Sequence, residues 1–323
     1  MNGLKNLGNT CYINSVIQVL AWNNDFLNLF LKKSCELGIE DELIVNTKIL
    51  FKELLNSLNK NIAPKTFVSN IRSNFKELNN LRQQDASEFL NLFLNYIHER
   101  VKIRFLKFNN HCINSSKHVI NGVKNWNNTI KHLSPVSKFF NGQFVYFFKC
   151  VSCNYKFRNF SPFLSLDLPL VNKEESSLTD LISRYFETNA CYKECLNCGS
   201  KNTDTEHETT CGIFKFPEYL IINLKRYKNN NTKNYLKIDI DKYIDLSDFA
   251  YSVDGFESVK YEINSMICHN GDQTNTGHYF SVIKNQEDDY WSCISDLKTY
   301  TIDIKNLNKS LPYILFFKRM KNI

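Results

Sequence analysis

A cysteine near the start of this 323-residue chain follows a turn sequence and precedes a helical pattern. Cys11 comes directly after Gly8-Asn9-Thr10, and the next apolar residues are spaced three and four apart: Ile13, Val16, Ile17 and Leu20. This spacing predicts a helix that begins near Cys11 and buries this stripe, with Asn14 and Gln18 on the other side. Backbone N–H groups at a helix N-terminus favour a thiolate, so the pattern predicts a nucleophile with a lowered pKa. The alternative is a small buried residue that happens to follow a turn.

A thiolate nucleophile needs a proton acceptor, and two histidines lie in strand-like segments. His278 stands in "TNTGHYFSVIK", where Gly277 can turn the chain and the residues after it predict a strand that holds the imidazole rigidly. His269, in "CHNGD", is the rival candidate. A cysteine and a histidine separated by most of the chain are typical of nucleophilic catalysis by a thiol.

Two C-x-x-C pairs, Cys150/Cys153 and Cys195/Cys198, predict a structural zinc site. Each short spacing lets one turn bring two thiolates to one ion, and two such turns complete a tetrahedral shell. Neither pair stands at a helix start within a βαβ unit, so a redox site is not favoured. Cys191 and Cys211 lie close enough in sequence to replace one of these ligands. Four thiolates leave no open coordination position, and the ion is therefore expected to hold structure.

The order of the elements predicts an α+β fold. Periodicity is mostly helical from residue 2 to about 133, including "TKILFKELLNSL" and "DASEFLNLFLNYIHERV". The polar stretch from Asn109 to Asn128 has no clear period and predicts a loop. After Gly142, alternating aromatic and β-branched residues predict strands, interrupted by one short helix with Ser177 as its cap.

The amino-acid composition restricts which class of protein this chain can belong to. A hydrophobic content of 43% predicts a folded chain, and no apolar run reaches the length of a membrane span. Eleven cysteines without a secretory signal favour metal ligation or thiol chemistry over disulfides, and predict an intracellular protein of the cytoplasm or nucleus. The net charge of +7 is scattered, so it indicates a solvated basic surface more than a nucleic-acid footprint.

Several motifs together resemble the ubiquitin-specific proteases. "GLKNLGNTCYINSVIQVL" is similar to the cysteine box of that family and "YEINSMICHNGDQTNTGHYFSVIK" to its histidine box. Between them, "RQQDASEFL", "FLSLDLP", "LIINLKRY" and the paired cysteines follow the family order. The resemblance implies a papain-like, right-hand architecture: a helical thumb over about 1–135, zinc-bearing β fingers over about 136–215 and a β palm over about 216–323. It also implies hydrolysis of the isopeptide bond after the C-terminal glycine of ubiquitin.

The same resemblance implies roles for further residues. Asn6 matches the position whose side-chain amide helps to bind the oxyanion, beside the backbone N–H of Cys11. Asp85 and Glu88 match acids that meet the arginine-rich tail of ubiquitin, and their spacing also fits a helix capping box. Ser295 falls where the family usually has Asn or Asp to orient the catalytic histidine. Asp296 follows it, and if residues 290–295 form a strand, only one of Ser295 and Asp296 can face His278 unless the strand ends or bulges there. We assign Ser295 to the histidine and expect Asp296 to organise water or backbone near the oxyanion site; the alternative is that Asp296 orients His278.

Three other functions stay open on the sequence. The substrate could be a ubiquitin-like modifier, or the chain could be a catalytically weak scaffold that binds ubiquitin. A basic zinc ribbon could also bind nucleic acid, although that reading leaves Cys11, His278 and Asn6 without a role. The reaction of Cys11 with a thiol-reactive ubiquitin separates these functions.

Overall fold

The computed structural model describes residues 1–56, 61–80, 82–104, 117–129, 132–198, 204–227, 232–251, 258–273, 276–285 and 290–320. The first part of the chain is helical, as predicted. The α-helices are α1 (Cys11–Ala21), α2 (Asn24–Glu36), α3 (Glu42–Leu55), α4 (Lys65–Asn74), α5 (Ala86–Val101), α6 (Lys117–Thr129), α7 (Pro135–Phe139) and α8 (Leu178–Tyr185). The predicted loop from Asn109 to Asn128 is wrong over α6, where Val119, Val123 and Trp126 lie three and four apart; residues 109–116 lie outside the described residues.

The strands follow mainly after residue 142. They are β1 (Ile103–Arg104), β2 (His132–Leu133), β3 (Gly142–Cys150), β4 (Lys156–Phe163), β5 (Ser165–Pro169), β6 (Glu175–Ser177), β7 (Asn189–Lys193) and β8 (Thr205–Lys215). The second set is β9 (Tyr219–Lys225), β10 (Lys237–Asp239), β11 (Tyr243–Asp245), β12 (Lys260–Gln273), β13 (Thr276–Lys284), β14 (Trp291–Ser295), β15 (Lys298–Ile302) and β16 (Pro312–Arg319). Ser177 caps α8 by accepting a hydrogen bond from the Asp180 N–H, as predicted.

The large sheet carries the histidine strand in its interior. Its order is β15-β14-β13-β12-β16-β9-β5, and β11 pairs with the first residues of β12, before the part of β12 that pairs with β13. One face packs against the helices and includes Tyr279, Ile294 and Ile314. The other face packs against α8 and includes Val282 and Cys293. Because successive residues of a strand point to opposite faces, a single residue step decides which core a side chain joins.

A separate four-stranded antiparallel sheet, in the order β4-β3-β8-β7, carries the cysteine pairs. Aromatic pairs stabilise it across neighbouring strands, such as Phe148 stacked on Phe157 with ring centroids 4.7 Å apart. In the part of the chain that the structure describes, no helix is both long and apolar enough to cross a membrane.

Helix α1 is buried on every side, which differs from the amphipathic helix expected from its sequence. Asn14 and Gln18 do lie opposite the apolar stripe, but they are only 3% and 1% exposed. Their amide nitrogens have partners inside the protein: Gln18 Nε2 donates to the Asn2 carbonyl at 2.8 Å, and Asn14 Nδ2 donates to the Leu4 carbonyl at 3.3 Å. The Asn14 Oδ1 is buried without a hydrogen-bond partner among the described residues. The segment before Cys11 therefore covers the polar side of the helix.

Candidate active site

Cys11 is the first residue of α1 and follows a tight turn. Gly8 and Asn9 have φ angles of 90° and 55°, in the left-handed region that glycine adopts at little cost. The side-chain oxygen of Asn6 closes the turn by accepting hydrogen bonds from the N–H groups of Gly8 (3.1 Å) and Thr10 (3.2 Å). The predicted turn and helix start are both confirmed, and they present the thiol at a helix N-terminus.

The thiol of Cys11 is nearly inaccessible in the free protein, with 3% of the residue exposed. Burial is the largest influence and raises the pKa of the thiol. Hydrogen bonds from the backbone N–H groups of Tyr279 and Tyr12 lower this pKa, and the nearby charge of Asp296 raises it. The pKa lowered by the helix N-terminus, expected from the sequence, is wrong for the free protein because desolvation outweighs those donors.

His278 lies near the beginning of β13, directly after Gly277 with its φ of 123°. Ser281 pairs with Ile294 across the two strands, and this register puts Ser295 diagonally across from His278 on the same face. Accordingly, Ser295 Oγ lies 2.8 Å from His278 Nε2. The structure thus brings the predicted histidine and the predicted orienting serine together.

The cysteine and histidine elements are in direct contact. Helix α1 packs on β13, and the backbone N–H of Tyr279 donates to the sulfur of Cys11. His278 is the residue before Tyr279, so it lies on the strand that α1 contacts, and we expect its imidazole to reach the thiol there. Because Ser295 engages Nε2, Nδ1 is the ring nitrogen that remains for proton exchange with the thiol.

Asp296 lies in a turn directly after β14 and links three parts of the site. Its φ of 51° interrupts the strand alternation, so its carboxylate also approaches His278, with Oδ2 3.9 Å from Nε2. The same carboxylate accepts hydrogen bonds from Asn6 Nδ2 at 3.1 Å and Asn14 Nδ2 at 2.8 Å. Asp296 thus holds the side chain that was predicted to bind the oxyanion, and its expected role in organising water or backbone stays a prediction.

The rival histidine, His269, is completely buried. Its Nδ1 is hydrogen-bonded to the hydroxyl of Tyr227. Burial, with contributions from the charges of Lys233 and His278, lowers its pKa to about 3. Such a ring is a poor proton acceptor, and its geometry points to support of the β12–β13 turn.

Asp85 and Glu88 lie at the N-terminus of α5, as expected. Asp85 Oδ1 caps the helix by accepting from the N–H groups of Ser87 (2.6 Å) and Glu88 (3.4 Å), and its Oδ2 accepts from the hydroxyl of Tyr313. Glu88 lies on the exposed side of the helix. Partial burial and the charges of Asp85 and Glu77 raise the pKa of Glu88. A cationic ligand would therefore reduce the repulsion among these three carboxylates.

Two residues near the thiol were not assigned from the sequence. Asn14 stands three residues after Cys11 and therefore shares a face of α1 with it; an amide within a mostly apolar helix was the available indication. Gln83 donates from Nε2 to Cys11 Sγ at 3.3 Å and is 6% exposed. Gln83 belongs to the motif "RQQDASEFL" noted above, but periodicity could not have placed it at the thiol, because it lies in a loop that approaches the thiol only in the folded chain.

The four cysteines of the two C-x-x-C pairs come together at one end of the four-stranded sheet, with all sulfur atoms within 4.8 Å of one another. The Cys150–Cys198 and Cys153–Cys195 sulfur pairs are each 3.6 Å apart. This is far longer than a disulfide and close to the separation of about 3.8 Å expected for tetrahedral zinc thiolates. Cys191 bonds to Thr209 outside the cluster. The four thiols could therefore hold one metal ion.

Cys11 at the start of α1 and His278 on β13 occupy the positions expected for the thiol and the histidine of a papain-like cysteine peptidase. The family model of the ubiquitin carboxyl-terminal hydrolases matches residues 2–317. The chain belongs to this family, which confirms the resemblance and the predicted class of cysteine-type deubiquitinating peptidases.

Relatives with this name come from several organisms. The chain is 28% identical to ubiquitin carboxyl-terminal hydrolase 4 of Arabidopsis thaliana, over 91% of this chain and 83% of the relative. It is 26% identical to ubiquitin carboxyl-terminal hydrolase 12 of Salmo salar, over 98% of this chain and 89% of that one. It is also 26% identical to ubiquitin carboxyl-terminal hydrolase 23 of Arabidopsis thaliana, over 98% of this chain, and spans only 35% of that relative.

Solved structures confirm the fold class. A structure of the SAGA Ubp8/Sgf11/Sus1/Sgf73 DUB module bound to ubiquitin aldehyde matches with a TM-score of 0.78 and 21% identity, over 100% of this chain and 70% of the other. The same module bound to monoubiquitin matches with a TM-score of 0.79 at 21% identity, with the same coverage. The α+β, right-hand architecture predicted from the motifs is therefore the observed one.

Proposed function

We propose that this chain hydrolyses the isopeptide bond after the C-terminal glycine of ubiquitin on conjugated proteins or chains. The observation that carries the proposal is the packing of α1, which begins at Cys11, on β13, where His278 lies 2.8 Å from Ser295 Oγ. Family membership supports the substrate class. The catalytic residues are Cys11, His278, Ser295 and Asn6, with Asp296 as the residue that positions Asn6.

The reaction follows from these positions. His278 Nδ1 takes the proton of Cys11, and the thiolate attacks the carbonyl carbon of the ubiquitin glycine. The backbone N–H of Cys11 and the amide of Asn6 stabilise the oxyanion, which is worth about 2.7–4 kcal/mol per donor. His278 then protonates the leaving lysine amine, which leaves a thioester on Cys11. Water, deprotonated by the same imidazole, hydrolyses the thioester and restores the thiol.

Asp85 and Glu88 are proposed to bind the basic tail of ubiquitin. The raised pKa of Glu88 supports this role, because a guanidinium would stabilise its charged form. Asp85 already uses Oδ1 for the helix cap and Oδ2 for Tyr313, so it contributes mainly through its charge and by fixing the start of α5.

Probes made from ubiquitin and from ubiquitin-like modifiers, each with a C-terminal thiol-reactive group, test the proposal. We expect the ubiquitin probe to form a stoichiometric adduct that peptide mapping places on Cys11. Faster reaction with a ubiquitin-like probe would reassign the substrate. Retention on DNA with no adduct from any probe would favour the zinc-ribbon function instead.

The four clustered cysteines are proposed to bind one structural zinc ion. Their chemistry supports this assignment: four soft thiolate donors whose sulfur atoms lie within 4.8 Å of one another fit tetrahedral zinc. Bound there, zinc would hold the two turns of the four-stranded sheet together and leave the thiol chemistry to Cys11.

Replacement of one of the four clustered cysteines is expected to lower the thermal stability of the protein without changing the residues that break the bond. Cys150→Ser should lower the zinc content below one ion per chain and reduce the thermal midpoint by at least about 5 °C, because metal binding contributes to folding. Cys191→Ser is the matched control, since this cysteine lies on β7 outside the cluster. Elemental analysis and thermal unfolding measure both effects. Metal-free wild-type protein with an unchanged midpoint would contradict the assignment.

The three regions of the hand are proposed from the sheet topology. The helices up to about residue 135 form the thumb, the four-stranded sheet within 136–215 forms the fingers, and the large sheet after 216 forms the palm. Strand β5 also lies within 136–215 but pairs with β9, so this interval contributes to the palm as well. A reducing compartment, cytoplasm or nucleus, suits a thiol enzyme whose described cysteines are free.

A further inference from the structure

Gln83 places a buried amide against the reactive sulfur. It stands two residues before the Asp85 cap of α5, is 6% exposed, and its Nε2 lies 3.3 Å from Cys11 Sγ. We propose that Gln83 is a further catalytic residue, whose amide N–H stabilises the Cys11 thiolate formed when His278 takes the proton. This inference rests on the proposed function only in treating Cys11 as the nucleophile.

A buried thiolate needs such donors. Burial by itself disfavours the charged sulfur, and water cannot compensate at a site that is only 3% exposed. The backbone N–H of Tyr279 supplies one hydrogen bond, and the Gln83 amide adds a side-chain donor from a different element. Hydrogen bonds to an ionised acceptor are about twice as strong as those between neutral groups, so the amide binds the thiolate more strongly than the thiol.

The donor is held in place before substrate arrives. Asp85 fixes the loop by capping α5 with one carboxylate oxygen and accepting the Tyr313 hydroxyl with the other. Tyr313 belongs to β16 of the large sheet, so the loop is tied both to its own helix and to the sheet. A donor fixed in this way needs no reorganisation when the sulfur becomes charged, which is the condition for electrostatic catalysis.

Titratable side chains and backbone N–H donors also surround this sulfur, and the test has to keep them constant. His278 and Tyr279 lie on β13, Tyr12 lies on α1 itself, and Asp296 lies in the turn after β14. Arg72 on α4 and Glu88 on α5 act on Tyr12. A change at Gln83 that leaves these groups in place isolates the amide.

Gln83→Met keeps the length of the side chain and removes the donor. We expect the pH midpoint for alkylation of Cys11 by iodoacetamide, followed by intact mass and peptide mapping, to rise by about one pH unit. Gln83→Glu should shift the midpoint further, because its carboxylate repels the thiolate. With a fluorogenic ubiquitin substrate at neutral pH, kcat should fall about tenfold while KM stays the same.

Gln84→Met is the matched control, because Gln84 donates to Asn80 Oδ1 at 2.8 Å and does not touch the sulfur. Alkylation needs no ubiquitin, so it reports on Gln83 even if the ubiquitin probe fails to react. Thermal unfolding identifies a variant that has lost its fold, and Gln83→Glu then carries the test. Alkylation midpoints of the folded variants that coincide with those of the wild type and Gln84→Met would overturn the inference.

Discussion

Replacement of Cys11 by alanine is expected to abolish the ubiquitin-probe adduct and to lower hydrolysis of a fluorogenic ubiquitin substrate by at least about 10³-fold. The reason is that the reaction passes through a thioester on this sulfur, and no other group can replace it at the start of α1. Loss of one buried sulfur leaves the helix intact, so the variant should still bind ubiquitin. Mass spectrometry of the adduct and steady-state kinetics measure the two effects.

Cys35→Ala provides the matched control. Cys35 is an exposed free cysteine near the end of α2 and should be dispensable for both reactions. The assignment of the nucleophile would be wrong if Cys11→Ala retained hydrolysis near the wild-type rate, or if the probe labelled Cys35 in the wild type.

The start of the active-site helix could be predicted because its determinants are local. A glycine turn before Cys11 and apolar spacing after it are both properties of adjacent residues. The alternation of β14 was equally local, and it correctly placed Ser295 on the opposite face from Ile294. In both cases, the residues that determine the structure are neighbours in the sequence as well as in the folded chain.

The electrostatics of the thiol could not be predicted in this way. The helix N-terminus lowers the pKa of Cys11, but burial by distant elements raises it more. The burial of the Cys11 thiol depends on the packing of α1 against β13 and on the loop that carries Gln83. Both β13 and this loop lie far from Cys11 in the sequence. A sequence pattern shows that backbone N–H donors lie next to Cys11, but it does not show how deeply the folded chain buries the thiol.

The role of Asp296 could not be predicted from the sequence for a related reason. Strand alternation made Ser295 and Asp296 alternatives, and only a strand end could let both approach the imidazole. The strand does end there, and the φ of 51° at Asp296 turns its carboxylate toward Asn6 and Asn14. Ser295 and Asp296 therefore have different roles. Ser295 contacts the imidazole of His278, and Asp296 contacts the side-chain amide of Asn6.

This division of roles makes a prediction about coupling between residues. Asp296→Ala removes the acceptor that fixes Asn6, so it should lower kcat by about 10²–10³-fold, as loss of an oxyanion donor does. Asn6→Ala should cause a loss of similar size. Because Asp296 acts through Asn6, the double variant should be no slower than about the slower single variant.

Ser295→Ala is the comparison within the same site. Ser295 Oγ contacts His278 Nε2 at 2.8 Å and has no described bond to Asn6, so its effect should multiply with that of Asn6→Ala. It should also displace the limb of the pH profile that belongs to the Cys–His pair, because it orients the imidazole. Steady-state kinetics on a fluorogenic ubiquitin substrate across pH, with thermal unfolding as a check on folding, measure each variant. Multiplicative losses for Asp296→Ala with Asn6→Ala would show that the aspartate acts independently, and a displaced pH limb for Asp296→Ala with none for Ser295→Ala would make Asp296 the residue that orients His278.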